Sequence, residues 1–379
     1  MAAQPMPEGT FWVPHKKLGS TGIAAYLVAV FLVGCTAPLP DAAQSAGGTS
    51  GTGGISGSGG VVGSGGYATS PPSCQVTEFL VPTRSCNPKA ITRGPDGNVW
   101  FTEWAGNRIG RIAPSGTITE FPIPVAQSGA DSITAGPDGN VWFSEWGFGL
   151  NSDNNIGRVT PSGQITEFPV SAQSWPFGIT TGPDGNLWFV EFAGKRIGRM
   201  STTGTLKEFP LPLSDSMADP FGITAGPDGN LWFTDFGTNT IGRVTVAGAI
   251  AQFELPNPGT GPGRIVVGPD GNLWFTESES DSTGHVSQGI GRITPEGTIA
   301  EFPLPESGSQ PYDIVTGPDG NLWFTDNGRN EIGRISPDGT VVRCAIPTAD
   351  SMPESIALGA DGNLWFTEWS GNKIGRMAP

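Results

Sequence analysis

The chain has 379 residues, with 35 acidic against 20 basic side chains, a formal charge of −15 and a pI near 4.5. So acidic a chain excludes nucleic acid as a partner, which needs a basic footprint. It fits an exported soluble protein or a carboxylate-lined face that binds cations. The 4 cysteines show no Cys-x-x-Cys or His-rich spacing, which speaks against a zinc centre.

Taken in chain order, the first feature is an apolar run, Ile23 to Gly34, behind the basic pair Lys16-Lys17 and ending Leu32-Val33-Gly34-Cys35. A basic stub, a short apolar core and this terminal box read as a lipoprotein-type signal over residues 1–35, with Cys35 as the lipidated residue. The run is too short for a confident membrane span; an uncleaved anchor is the alternative reading. Residues 36–73 are rich in Gly, Ser, Thr and Ala and read as a flexible tether. The expectation is an exported protein held at a membrane only through its lipid, or extracellular, and monomeric.

From residue 74 onward the chain is built from repeats. Asp96, Asp138, Asp184, Asp228, Asp270, Asp319 and Asp361 mark copies of Gly-Pro-Asp-Gly-Asn-Leu-Trp-Phe-Thr-Glu, and six further intervals of 42, 46, 44, 42, 49 and 42 residues separate them. A period in the low forties with strand-type content is the signature of propeller blades. Pro-Asp-Gly-Asn supplies a fixed proline φ and residues tolerant of positive φ, hence a tight hairpin. Each repeat carries four short segments: one before that turn, one with Trp-Phe, one with Ile-Gly-Arg and one with Thr-Glu-Phe or a variant. The last repeat stops at Ile374-Gly375-Arg376-Met377 without a fourth segment, and Val76-Thr77-Glu78-Phe79 is a fourth segment without a repeat before it. The fold class is therefore all-β, a seven-bladed β-propeller over residues 74–379, closed by an N-terminal strand that completes the last blade. Cys74 and Cys86 flank that strand and are expected to pair in a disulfide, while Cys344, at the position of Phe121, is expected to be a buried thiol.

Chemistry is expected where the loops before the first strand and after the second meet the central channel. The register of the first-strand isoleucines puts Lys89, Asp131, Phe177, Phe221, Gly263, Tyr312 and Glu354 at the mouth, with Ala90, Ser132, Gly178, Gly222, Arg264, Asp313 and Ser355 one step inward. Charge gathers on one side and aromatics on the other, a pocket for an amphipathic ligand. Each second strand ends in an acid, from Glu103 to Glu368, and each blade has one Ile-Gly-Arg arginine, from Arg111 to Arg376. One reading stitches these acids to these arginines; the other turns one or two acids to the channel to hold a hard cation such as Mg²⁺. Two loops after second strands are long: Trp146 to Leu150, an apolar lip, and Glu277 to Gly289, which carries His285, a candidate base at the functional end.

The unit Gly-Pro-Asp-Gly-Asn-Leu-Trp-Phe-Thr-Glu-x-x-x-Asn-x-Ile-Gly-Arg-Ile-x-Pro-x-Gly resembles the virginiamycin B lyase, or streptogramin lyase, family over the whole propeller. The resemblance implies elimination across the ester bond of a cyclic depsipeptide antibiotic, with Mg²⁺ and a base. It puts Glu368 at the family's metal-binding glutamate. The family opens its last blade with Glu-Pro-His-Gly-Ile, where this chain has Met352-Pro353-Glu354-Ser355-Ile356, and Tyr312 stands at the histidine one blade earlier. The candidate assignments are thus Glu354 or His285 as base, Glu368 on the metal, and Phe177, Phe221, Tyr312, Lys89, Asp131, Arg264 and Asp313 on a small cyclic peptide or other surface ligand. The alternative is a non-enzymatic propeller that binds a peptide, glycan or envelope partner.

Overall fold

In the computed structural model, the described residues are 74–147, 154–212, 217–280 and 286–379, with the side chains of 279, 280, 286 and 287 left aside. Cys35, the tether, most of the apolar lip and His285 lie outside them. The described secondary structure is entirely β-strand, in seven antiparallel sheets of four. Blade 1 runs Pro88–Arg93, Val99–Glu103, Arg108–Ile112 and Ile118–Pro122, from the channel outward. Blade 7 consists of Pro353–Leu358, Leu364–Glu368 and Lys373–Met377, and its outer strand is Val76–Leu80 from the other end of the folded unit. The first strands touch one another in sequence around the ring, and that of blade 7 returns to that of blade 1.

The repeat phrase explains the packing. Asp96 Oδ1 accepts from Trp100 Nε1 at 3.0 Å and from the Asn98 amide at 3.1 Å, so the turn fixes the indole edge. Gly97, at φ 80°, supplies the backbone that a side chain resists. Burial opposes ionisation of Asp96, but the bonds from Trp100 and Asn98 outweigh it and hold the carboxyl below its ordinary value. Trp100 then stacks on Phe121 of the outer strand at 5.6 Å, while the other face of the blade presents Phe101. Phe101 lies over Gly110, where a Cβ would come within 2.1 Å of the ring, so Ile-Gly-Arg has glycine for want of space. Trp100 of blade 1 and Phe143 of blade 2 share one cluster, which is how neighbouring blades bury each other.

Two expectations are corrected. The Ile-Gly-Arg arginines do not meet the second-strand acids. Arg111 pairs in register with Trp100, covers that ring at 5.4 Å, lies 3.8 Å from Asp96 and donates to Pro161 O of the next blade at 2.8 Å. It therefore sits at the opposite end of the blade from Glu103. The disulfide is Cys74–Cys344, not Cys74–Cys86; Cys86 is the buried free thiol. Closing the ring lays the segment before the first strand against the outer strand of blade 6, where Cys344 lies.

Candidate functional site

Every first strand begins with the same irregularity. Pro88 pairs with Glu103 and Ile91 with Phe101, so Lys89 and Ala90 are carried on a bulge, and blade 7 does the same with Glu354 and Ser355 between Pro353 and Ile356. A bulge re-aims side chains that regular pleating would turn into the sheet. The mouth and inner rings expected from the sequence are these bulged pairs. In blades 4 to 7 a threonine hydroxyl from the second strand secures the bulge to the next blade; blade 3 has Val190 at that place. Thr325 Oγ1 accepts from Asp313 N at 3.0 Å and donates to Glu354 O at 2.7 Å. Thr367 links Ser355 N at 2.9 Å to Lys89 O at 2.7 Å in the same way.

At the mouth, Asp131 is fully buried and holds two cations from different blades: Lys89 Nζ at 2.5 Å and Arg264 at 3.5 Å. The resulting bar runs from blade 1 through blade 2 to blade 5. Arg264 also lies 4.8 Å over the Phe221 ring. One step inward, Ser355 Oγ donates to Asp313 Oδ2 at 2.6 Å, and the Ile314 and Ile356 amides donate to Asp313 at 2.8 and 3.1 Å. Below them lies a cavity of about 120 Å³, walled by Arg264, Asp313, Ser355 and Ser132 on its polar side and by isoleucines below.

The electrostatics set Glu354 apart. Burial disfavours the Lys89 ammonium, yet Asp131 and Glu354 raise its pKa above the lysine norm. Arg264 is likewise held charged against burial by Asp131, Asp313 and Glu354. Burial lifts the carboxyl of Asp313, against the pull of Arg264 and its hydrogen bonds. Glu354 is raised to about 7, by burial first, with Lys89 and Arg264 lowering it and Asp131 and Asp313 raising it. Its Oε2 is buried without a hydrogen-bond partner. A carboxyl that titrates near neutrality beside two fixed cations can take up a proton and hand it on.

An aromatic wall faces this cluster. Phe177 and Phe221 are 5.7 Å apart, and Phe221 meets Tyr312 edge-on at 6.4 Å. Burial, then Glu354, raises the Tyr312 hydroxyl above the tyrosine norm, so it is a hydrogen-bond donor at neutral pH. The wall continues outward through Trp146 of the expected apolar lip and through two tryptophans not expected there, Trp104 and Trp369. Trp369, Trp104 and Trp146 follow the second-strand acids of blades 7, 1 and 2; Trp104 meets Trp369 tilted at 5.4 Å and stacks on Trp146 at 6.2 Å, and Trp146 lies 6.0 Å from Phe177 and 5.9 Å from Trp175. Lys89 Nζ lies 5.8 Å from the Trp369 ring. The signal was available: tryptophan follows the acid in three neighbouring blades, where blades 5 and 6 have Ser278 and Asn327.

Glu368 lies apart from the cluster. It shares the sheet face of Phe366, and the groups acting on it are Glu78, Lys373 and Ser351 of the loops and outer strand. Among the described residues no group of three or more His, Cys, Asp and Glu side chains is arranged to hold a metal. Asp131 is engaged by Lys89 and Arg264, and Asp313 by Ser355, whereas Glu354 Oε2 has no hydrogen-bond partner. One unengaged carboxylate among cations does not fit Mg²⁺, which asks for several oxygen ligands and retained waters.

The family model of the virginiamycin B lyase family matches residues 70–218, 212–289 and 287–379. A solved streptogramin B lyase structure is 36% identical, covers 80% of this chain and 96% of its own, and superposes with a TM-score of 0.72. Virginiamycin B lyase from Staphylococcus aureus is also 36% identical, with 80% and 99% coverage and a TM-score of 0.73. The same figures hold for a catalytically inactive histidine-to-alanine variant of the S. aureus protein, solved with quinupristin. No curated protein matches the chain.

Proposed function

Starting from the premise that this chain belongs to the virginiamycin B lyase family, we propose that it is a carbon–oxygen lyase that opens a cyclic depsipeptide. In this reading Glu354 is the base, and the chain's own cations take the electrostatic role that the resemblance gives to Mg²⁺. The carrying observation is Glu354 itself: its Oε2 is buried and unpartnered, its pKa is about 7, and Lys89 and Arg264 both act on it, at the place where the resemblance puts a histidine.

In the step proposed, ionised Glu354 removes the proton on the carbon beside a carbonyl. The electron pair forms a double bond to the neighbouring carbon as that carbon's ester oxygen departs as a carboxylate. No water enters, so the linear product keeps the mass of the ring. Charge developing on the carbonyl oxygen faces Lys89 and Arg264, fixed donors that need no reorganisation. Phe177, Phe221 and Tyr312 hold the apolar side of the ligand. The Cys74–Cys344 bridge supports an oxidising, exported location, with Cys35 as the lipid attachment.

The test is incubation of the purified protein with quinupristin, with Mg²⁺ and with EDTA, followed by mass spectrometry. The expected result is a linear product of unchanged mass in both conditions. Glu354→Gln should lower turnover by about 10²–10⁴-fold while binding survives. A product heavier by one water would make the protein a hydrolase, and a strict need for Mg²⁺ would remove the cation assignment. Binding without product would favour a second reading, a non-enzymatic binding propeller. One observation speaks for it: Asp131 already occupies both cations.

A further inference from the structure

The loop that enters each first strand ends in a residue whose backbone must turn to the left-handed region in five blades. The residues are Asn87, Gly129, Trp175, Gly261 and Met352, at φ 51°, 62°, 49°, 55° and 51°. Asparagine and glycine accept that conformation; bulky side chains resist it. All but Gly129 also precede a proline, which narrows the permitted backbone further.

In blades 1, 3 and 7 main-chain bonds hold the turn, with a side-chain bond added between Asn87 and Trp369 and from Ser370 Oγ to Met352 Sδ. Trp175 N donates to Asn154 Oδ1 at 2.9 Å, and Trp175 O accepts from Phe192 N at 3.0 Å. Met352 O accepts from Trp369 N at 3.0 Å, and Asn87 O accepts from Trp104 N at 3.1 Å. Asparagine therefore meets the structural need in blade 1, and the backbone gains nothing from tryptophan or methionine in blades 3 and 7. Yet both are exposed, 38% for Trp175 and 41% for Met352, which puts two of the few large apolar side chains open to solvent on this rim. Strain kept where the fold does not ask for it points to function. Between them run Trp369, Trp104 and Trp146, so the two mark the ends of one aromatic arc.

We propose that Trp175 and Met352 bound a rim subsite, outside the charged mouth, that grips the apolar and aromatic outer face of a peptide macrocycle. The proposal rests on the reading given under Proposed function and names the part of the ligand the rim selects: flat, uncharged groups that stack on indole. With Ser278 and Asn327 after the second-strand acids, blades 5 and 6 add no stacking group to the rim beyond Tyr312 at the mouth, so the ligand lies toward blades 7 to 3.

Trp175→Asn and Met352→Asn test this, each copying the residue blade 1 uses. Quinupristin binding is read by calorimetry on the full chain, beside the melting temperature. The expected result is a rise in Kd of about tenfold for Trp175→Asn, and more for the double variant, with the melting point kept within a degree or two. Loss of several degrees with unchanged Kd would make both residues structural and overturn the proposal. Unchanged Kd and unchanged melting point would overturn it as well. Glu354→Gln separates the two readings, because it should stop turnover and leave rim binding intact. If the unaltered protein takes up no quinupristin, the macrocycle is wrong for both.

Discussion

Raising the pH from about 5 to 8 should lower the melting temperature by on the order of 10 °C, the reverse of the usual gain on leaving acid. The cause is a set of buried carboxyl pairs that repeats with the blade. The acid ending the second strand faces the acid of the fourth strand across the glycine of Ile-Gly-Arg: Glu103 with Glu120, Glu145 with Glu167, Glu191 with Glu208, Glu277 with Glu301, and Glu368 with Glu78. Burial first, then the neighbouring carboxylate, raises Glu103 and Glu277 to about 8 and Glu145 well above its ordinary value. Glu191 and Glu368 reach only about 7 because Arg196 and Lys373 pull them back; Arg108 does the same more weakly for Glu103. Two like charges this close cannot both ionise cheaply, so each pair keeps one proton between its members.

The sign follows from linkage. A carboxyl whose folded pKa exceeds its unfolded value binds more protons when folded, so its contribution is whole below 4.5 and drains away as pH climbs through 7 and 8. Displacement by even one pH unit per pair is worth about 1.4 kcal/mol, or about 7 kcal/mol for five pairs. The turn aspartates set the acid limit. Asp96, Asp138, Asp184, Asp228, Asp270 and Asp361 are held below 3.8, and their contribution fades as pH falls through that range. Maximum stability is therefore expected near pH 4–5. Blade 6 carries its own control, because Arg343 stands in place of the fourth-strand acid and binds Asp326 at 2.7 Å. Melting scans from pH 4.5 to 9 are the measurement, with Glu120→Gln and Glu208→Gln expected to flatten the slope. A curve flat or rising over that window would show that the pairs are not protonated.

How far the sequence could be read depends on how locally each feature is determined. The blades, their count and the strand that closes the ring follow from a period and from turn chemistry, both contained in a few dozen residues. The mouth rings were legible too, because the first-strand isoleucines fix the register and the bulge is the same in every blade. The arginines were misplaced because sequence order says nothing of which end of a blade a side chain reaches. In register, Arg111 lies opposite Trp100, and alternation then carries it to the turn at Asp96 rather than to Glu103. Glu368, two residues after Phe366 and so on the same face of the sheet, is acted on by Glu78, Lys373 and Ser351 rather than by the mouth residues. Trp175 was hidden because its meaning lies in a backbone angle. Nothing in the composition of a loop announces that a tryptophan occupies a place suited to asparagine.

Opening the Cys74–Cys344 bridge should cost more than any single side-chain deletion in the propeller. The two cysteines are 270 residues apart, so the bond closes nearly the whole folded unit into one loop. In the chain-entropy account that restricts the unfolded state by about 5 kcal/mol, on the order of 10 °C in melting temperature. The native-state role is equally specific. Val76–Leu80 pairs only with Lys373–Met377 as the outer strand of blade 7, and it is the one strand whose loss would reopen the ring. Besides the ladder it is held by Lys373 on Glu78 at 2.7 Å and by Thr348, whose amide and hydroxyl donate to Glu78 at 2.9 Å. The bridge ties the front of this strand to the outer strand of blade 6 and keeps the closing segment from fraying. Reduction, or Cys344→Ser, should therefore lower the melting point sharply and expose the Val76–Leu80 ladder to amide exchange before the inner strands. Cys86→Ser should leave the bridge unchanged. Peptide mapping of the non-reduced protein decides the premise: a Cys74–Cys344 fragment with Cys86 alkylated is expected, whereas a Cys74–Cys86 fragment would return the clamp to a short local loop and shrink its stabilisation.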